Sequence, residues 1–356
     1  MHNKERTKKE RRYSLFWRLS IFVFFVAVLV SLVIHLLEEH APEATVASLR
    51  LYRSHTPTKN DLKVVSYNIF NIPYFPDHVA QLERTCLIPQ SRIAPDADVV
   101  VIEEMFRSGC HSTMPFERLM ASHGWTHSTS VQGKGLSVSL INGGVQIYSR
   151  WPILAESEIN FKSSFAWRSA DLWCNKGIKY AQIDKNGRKF HILGTHMQSL
   201  EGLTYHQVRV EQARRIALYM NTMSIPKDEP VIIAGDFNTD MAHEQTRSEE
   251  IFSHMQVTMC PISGPVQFTY NRLVNNIVIT QETPSWLDYI VYSKQHKQPK
   301  KCQFWAEMMT TEPYVFCRKP LLFLPYWVHP QSRFCAQSAE SVHLSDHFPV
   351  IAQFEF

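Results

Sequence analysis

Asn68, Glu104, His196, Asp236, Asn238, Asp288 and the adjacent pair Asp346–His347 each stand at the edge of a short apolar run. Groups of these types suit two kinds of chemistry. Carboxylate and amide oxygens hold a hard cation of the Mg²⁺ type, and an imidazole steadied by a carboxylate takes a proton from water. Taken singly, each residue also has a plain structural reading. Asn68 can cap a turn, Glu104 can be a solvated rim charge, Asp236 and Asn238 can form an Asx turn, and His196 can be a satisfied core histidine. Taken together, those readings must put acids, amides and imidazoles at six strand ends by chance.

The elements that position these residues are short apolar runs. They are "LKVVSYNIF" (62–70), "DVVVIEEMF" (98–106), "GVQIYSRWPI" (144–153), "KYAQID" (179–184), "RKFHILGTHMQ" (188–198), "PVIIAGDFNTD" (230–240) and "WLDYIVYS" (286–293). A last strand follows Asp346–His347, with Phe348, Val350, Ala352 and Phe354 alternating as a half-buried strand requires. "KNG" at 185–187 reads as a hairpin turn, and 205–220 has helical spacing through Val208, Ala213, Ile216 and Tyr219. Hairpins mixed with a few helices predict two stacked, largely antiparallel sheets with helices outside. In extended chain Asp236 and Asn238 face the same way.

The chain has 356 residues and a formal charge of +4. Residues 1–60 hold ten Lys/Arg and five Asp/Glu, which leaves 27 and 28 for residues 61–356, so the body is close to neutral. It lacks the basic footprint of a nucleic-acid enzyme. The excess charge sits in residues 1–14, read as a basic cytoplasmic tail ahead of an apolar segment, 15–37. That segment predicts a single-pass signal anchor with the body outside the cytoplasm, and the alternative is a signal cleaved on secretion. Residues 38–60 read as a linker and 61–356 as the catalytic domain. Seven cysteines fit an exported chain with some disulfides, an odd number leaves one unpaired, and the absence of CxxC spacing argues against a zinc cluster.

"SYNIF", "VIEEMF", "GTHMQ", "GDFN", "LDYIVYS" and "SDHFPV", in this order, resemble the endonuclease/exonuclease/phosphatase superfamily of deoxyribonuclease-I-like enzymes. Within it the chain most resembles bacterial sphingomyelinase C and the neutral sphingomyelinases, through "GGVQIYSRWPI", "CNKGIKYAQI" and "QFTYNRLVNN". The resemblance implies a four-layer α/β/β/α sandwich and a Mg²⁺- or Mn²⁺-dependent phosphodiesterase that releases ceramide and phosphocholine from sphingomyelin. It implies His347 as general base held by Asp288, and Asp236 and Asn238 positioning water and a phosphoryl oxygen. His196 would stabilise the pentacovalent state or the leaving alkoxide, with Glu104, Asn68 and Asp346 about the metal. Asn175 and Lys176 would approach the phosphate, and Tyr270 would offer choline an aromatic face or be a buried core tyrosine. Asn271 departs from the pattern, standing where an acidic residue is expected.

Three rival readings remain at this stage: an extracytoplasmic nuclease, a phosphoinositide phosphatase and a binding protein with a relict site. Phosphatase relatives carry a basic residue where this chain has Tyr289, and the near-neutral body opposes a nuclease. The partners expected are a sphingolipid substrate and a lipid bilayer, with no nucleic acid and no obligate protein partner. Residues 296–341 read as an apolar insertion in which Phe323, Tyr326 and Trp327 dock on lipid, since related sphingomyelinases use an apolar hairpin there; a buried edge strand is the alternative. Cys302, Cys317 and Cys335 lie in or beside it, so one disulfide is expected to brace it.

Overall fold

The computed structural model describes residues 61–72, 79–91, 96–106, 115–133, 142–161, 171, 174–280, 283–320, 331 and 333–356. Residues 1–60, which hold the expected tail, anchor and linker, and 321–330, which hold Phe323, Tyr326 and Trp327, lie outside them. Among the described residues no helix is long and apolar enough to cross a membrane.

Two mixed sheets form the body. The first has seven strands in the order β10 (Ile262–Ser263), β12 (Lys301–Ala306), β15 (Val350–Glu355), β1 (Asp61–Asn68), β2 (Val99–Glu103), β4 (Gln146–Ser149) and β3 (His127–Ser128). The second has six: β5 (Ile153–Asn160), β6 (Gly177–Lys185), β7 (Arg188–His196), β8 (Val231–Asp236), β11 (Asp288–Ser293) and β9 (Val257–Met259). Most pairs are antiparallel, but β1–β2, β7–β8 and β10–β12 are parallel. The turn joining β6 to β7 places Asn186 and Gly187 at φ 56° and 79°, the conformation that an Asn-Gly hairpin turn requires.

Side-chain alternation decides what meets between the sheets. Val64, Ser66 and Asn68 of β1 share a face with Val99, Val101 and Glu103 of β2 and with Val350, Ala352 and Phe354 of β15. Opposite them stand Ile232, Ala234 and Asp236 of β8, with Ile290 and Asp288 of β11. The apolar members form the shared core, fully or almost fully buried. The polar members are the last residues of this inward stripe, so they meet at one end of the sandwich.

The outer faces are covered by helices. Helices α1 (Gln81–Leu87) and α2 (Phe116–Ser122) lie over the first sheet, where Val65, Tyr67, Val100, Ile102 and Ile351 pack with Ile88, Phe116 and Met120. Helices α3 (Leu203–Thr222) and α4 (Gln245–Met255) lie over the second. Val210, Ala213, Ile216 and Met220 make the buried stripe of α3, and Phe252 of α4 meets Tyr289 edge to face. This is the expected four-layer arrangement.

A two-stranded antiparallel hairpin stands apart from both sheets, formed by β13 (Thr310–Pro320) and β14 (Cys335–His343). The excursion therefore begins after β12 rather than at residue 296, because β12 belongs to the first sheet. Cys317–Cys335 braces the hairpin, and Cys260–Cys302 ties the segment after β9 to β12. Cys174 is a free cysteine among the described residues.

Candidate active site

Two backbone devices shape the pocket rim. β2 ends at Glu103, and Glu104 follows with φ 57°, a left-handed conformation rare outside glycine. That turn brings Glu104, which regular alternation would send to the outer face, back beside Asn68. The close approach of Gly144 accommodates it: a Cβ there would lie 3.0 Å from Glu104 Cα. Asn238 is the second device. Its φ of 51° and the bond from its N–H to Asp236 Oδ1 (2.8 Å) form an Asx turn. The extended-chain expectation for Asp236 and Asn238 is thereby corrected, since β8 stops at Asp236 and the Asn238 amide donates to Met197 O (3.2 Å).

The inward groups converge closely. Asn68 Nδ2 donates to Glu104 Oε1 (3.0 Å) and to Asp236 Oδ2 (3.1 Å). His196 Nε2 lies 3.5 Å from Asp236 Oδ2 and 4.0 Å from Glu104 Oε1. His347 Nδ1 is 2.8 Å from Asp288 Oδ2, and its Nε2 is 3.8 Å from Asp236 Oδ2. Ser345 Oγ donates to Asn68 O (2.6 Å) and lies 3.2 Å from Asp346 Oδ1. Thr269 Oγ1 accepts from the Asp288 N–H (3.3 Å) and so steadies the start of β11.

Burial gives these charges their leverage. It pushes the Glu104 carboxyl up to about 7, aided by the neighbouring Asp346 charge, and it also raises Asp346. Burial alone would depress His347. The carboxylates of Asp288, Asp236 and Asp346 outweigh it and hold the imidazole well above its ordinary range. His196 moves the other way, down to about 3, through burial and the Lys176 ammonium.

Lys176 is itself buried. Its ammonium is paired with Asp171 (2.7 Å), donates to Met197 O (3.0 Å) and lies 3.0 Å from His196 Nε2. An ammonium has only donors, so Nε2 accepts and the His196 proton sits on Nδ1, which is buried without a hydrogen-bond partner. Lys176 was expected at the phosphate; its described contacts are to His196 and Asp171. Asn175 turns its amide to Gly133 O (3.2 Å), away from this cluster. Tyr270 is buried, with its hydroxyl on Thr280 Oγ1 (2.7 Å) and its ring 5.1 Å from that of His347. Sequence reasoning gave no role to Asp171, Thr269 or Ser345, although Thr269 and Ser345 lie inside "QFTYNRLVNN" and "SDHFPV" and Asp171 lies three residues before "CNKGIKYAQI".

The oxygen-rich corner of Asn68, Glu104, Asp236 and Asp346 could hold a hard divalent cation. Glu104 Oε2 is buried without a hydrogen-bond partner, and the raised carboxyls of Glu104 and Asp346 are what an adjacent cation would relieve. Asp236, Asp288 and His347 also bring ligand atoms within 4.8 Å of one another. In that group the His347–Asp288 hydrogen bond already occupies two donors, so the first corner fits better.

A model described as the Endonuclease/Exonuclease/phosphatase family matches residues 65–347. The chain is 32% identical over 256 residues to sphingomyelinase C 2 of Leptospira interrogans, covering 67% of this chain and 40% of that protein. It is 30% identical over 312 residues to a phospholipase C of Staphylococcus aureus, covering 82% and 87%. Among solved structures, a mutant Staphylococcus aureus beta toxin with bound magnesium ions resembles it at a TM-score of 0.69 and 27% identity, covering 82% of this chain and 99% of that one. The chain thus spans less than half the length of the Leptospira protein. One expectation is corrected: among the described residues no helix is long and apolar enough to cross a membrane, the expected anchor lies outside them, and the chain is similar to the Staphylococcus aureus phospholipase C over 82% of its length, so the single-pass placement is withdrawn.

Proposed function

The chain belongs to the endonuclease/exonuclease/phosphatase family, in its sphingomyelinase C branch, and on that premise we propose that it is a Mg²⁺-dependent phosphodiesterase cleaving sphingomyelin to ceramide and phosphocholine. The observation that carries the reading is the His347–Asp288 pair, 2.8 Å apart and buried, with Nε2 turned towards Asp236. A base with one nitrogen fixed by a carboxylate presents the other to a water molecule.

In its neutral form His347 takes the water proton at Nε2 while Asp288 accepts from Nδ1–H and stabilises the imidazolium that forms. A cation held by Asp236 and Asp346 would offset the two carboxylates that help raise the imidazole and so favour that neutral form. Asp236 and Asn238 lie on either side of the Asx turn, where they orient the water and a phosphoryl oxygen. Glu104, Asn68 and Asp346, with Asp236, would hold the cation, which supplies charge neutralisation and polarises a phosphoryl oxygen. His196 is a fixed neutral dipole at neutral pH, because Lys176 and burial keep its basicity low. With its proton on Nδ1, Nε2 has no hydrogen to give, so it does not act as an imidazolium acid, and stabilisation of developing charge on this side comes through the Lys176 ammonium from which Nε2 accepts. The Lys176 ammonium behind it adds positive potential to the same side.

A lipid surface as partner is supported by the braced hairpin β13–β14, which belongs to neither sheet and whose strands flank the segment carrying Phe323, Tyr326 and Trp327 in the sequence. Asn276 of the "QFTYNRLVNN" segment donates to Glu340 O (2.7 Å), and Asn275 donates to Ser345 O (2.7 Å), so hairpin and site loop share a base. The near-neutral body, 27 Lys/Arg against 28 Asp/Glu, favours lipid over nucleic acid.

The test is the purified chain with Mg²⁺ on sphingomyelin vesicles, phosphatidylcholine vesicles and plasmid DNA in parallel. Phosphocholine release chiefly from sphingomyelin is expected. Plasmid nicking without lipid hydrolysis would overturn the reading.

A further inference from the structure

Arg84 of α1 is fully buried. Among the described residues its guanidinium donates to four backbone carbonyls and to no carboxylate. Nε donates to Val79 O (2.5 Å), Nη1 to Ile69 O and Leu344 O (2.8 Å each), and Nη2 to Phe70 O (2.8 Å). A buried cation with no carboxylate in hydrogen-bond contact carries a desolvation cost, offset here by these four bonds together with the nearby Asp346 charge and the Phe70 ring 5.8 Å away. The position of those bonds is informative. Ile69 and Phe70 are the two residues after Asn68, and Leu344 comes two before Asp346.

We propose that Arg84 is a positioning residue of the active site, a planar fork that fixes the loop carrying Asn68 against the loop carrying Asp346 and His347. Phe70 sits at φ 51°, a costly conformation for a bulky side chain. Arg84 holds its carbonyl there, and the Phe70 N–H donates to Asn68 Oδ1 (3.0 Å). That bond turns the Asn68 Nδ2 towards Glu104 and Asp236. On the other loop, Ser345 follows Leu344 directly, and its hydroxyl donates to Asn68 O (2.6 Å). Arg84 and Ser345 thus form two rungs between the same loops. Lysine, a point charge without the fork, cannot serve carbonyls on three segments at once.

The inference rests on the phosphodiesterase reading of that corner, and its test is built to separate the two. Three variants are compared with the parent for kcat on detergent-dispersed sphingomyelin, calorimetric Mg²⁺ affinity and Tm. Arg84→Lys should lose at least tenfold in kcat and several-fold in Mg²⁺ affinity. Ser345→Ala should show the same pattern more weakly, with Tm within a few degrees. Trp151→Phe removes the Trp151 Nε1–Asp98 Oδ1 bond (2.7 Å) at the opposite end of the strands; it should lower Tm with kcat and metal affinity unchanged. Arg84→Lys and Ser345→Ala within twofold of the parent on both readouts would overturn the proposal. So would losses no larger than those of Trp151→Phe at equal Tm. If Arg84→Lys fails to fold, Ser345→Ala decides alone. If the parent cleaves no choline lipid, the phosphodiesterase reading has failed and the Mg²⁺ titration still decides this one.

Discussion

Asp171→Asn removes the carboxylate behind Lys176 and leaves the ammonium buried. The parent carboxyl is held down from 3.8 to about 2: burial works against the ion, and Lys176 and His196 more than compensate. At 1.36 kcal/mol per pH unit the difference makes the ion worth on the order of 2 kcal/mol of stability at neutral pH. Because the folded value lies below the unfolded one, this contribution is complete above the unfolded value and is lost as pH falls through about 2. At pH 3 about half of it survives. Asn also disturbs the three bonds that Oδ2 accepts from Gln198 Nε2, Ser199 N and Ser199 Oγ, but that part does not depend on pH. Urea denaturation of parent and variant at pH 7 and pH 3 separates the two. The stability gap should narrow by about 1 kcal/mol at the lower pH. A gap below about 0.5 kcal/mol at pH 7, or one equal at both pH values, refutes the buried ion pair.

His347→Ala should cost on the order of 10²–10⁴ in phosphocholine release with Tm and Mg²⁺ affinity retained; activity within twofold of the parent would remove it from the mechanism. Glu104→Gln should raise the Mg²⁺ concentration for half-maximal rate by tenfold or more, whereas an unchanged metal titration would show that Glu104 is no ligand. Phe323→Ala with Trp327→Ala should weaken binding to sphingomyelin vesicles in a sedimentation assay while sparing a soluble phosphocholine ester. Equal loss on both substrates, or a large fall in Tm, would favour a buried run.

Much of the sandwich was legible because β1, β2, β8, β11 and β15 are dense apolar runs whose polar ends mark one edge of two sheets. The gathering of Asn68, His196, Asp236, Asp288 and His347 at that edge follows without knowledge of strand order, whereas Glu104 joins them only through its left-handed turn. What escaped depends on geometry that spacing does not encode. The left-handed turns at Glu104 and Asn238 place side chains where alternation forbids them, so Asn238 was assigned to the wrong arrangement. The hairpin strands expose residues on both faces and carry no period to detect. Helix α4 buries only Ser248, Ile251, Phe252 and Met255, a stripe too narrow to stand out in sequence. Lys176 drew attention as a cation near the phosphate, but its tie to Asp171 requires the fold, as does every carbonyl that Arg84 reaches.

Strand β15 follows every other described strand and helix in chain order, yet it lies inside the first sheet, hydrogen-bonded to β12 on one side and β1 on the other. The order in which a ribosome delivers the chain therefore matters. Until residues 350–355 emerge, β1 and β12 each present an open edge to any strand nearby, and the body consists of two partial layers. His347, the proposed base, and Leu344, the proposed anchor of its loop, arrive in the same late stretch. A nascent or shortened chain lacks its base, and its open strand edges leave it prone to aggregate. Catalytic competence and closure of the sheet come from the same late-made residues.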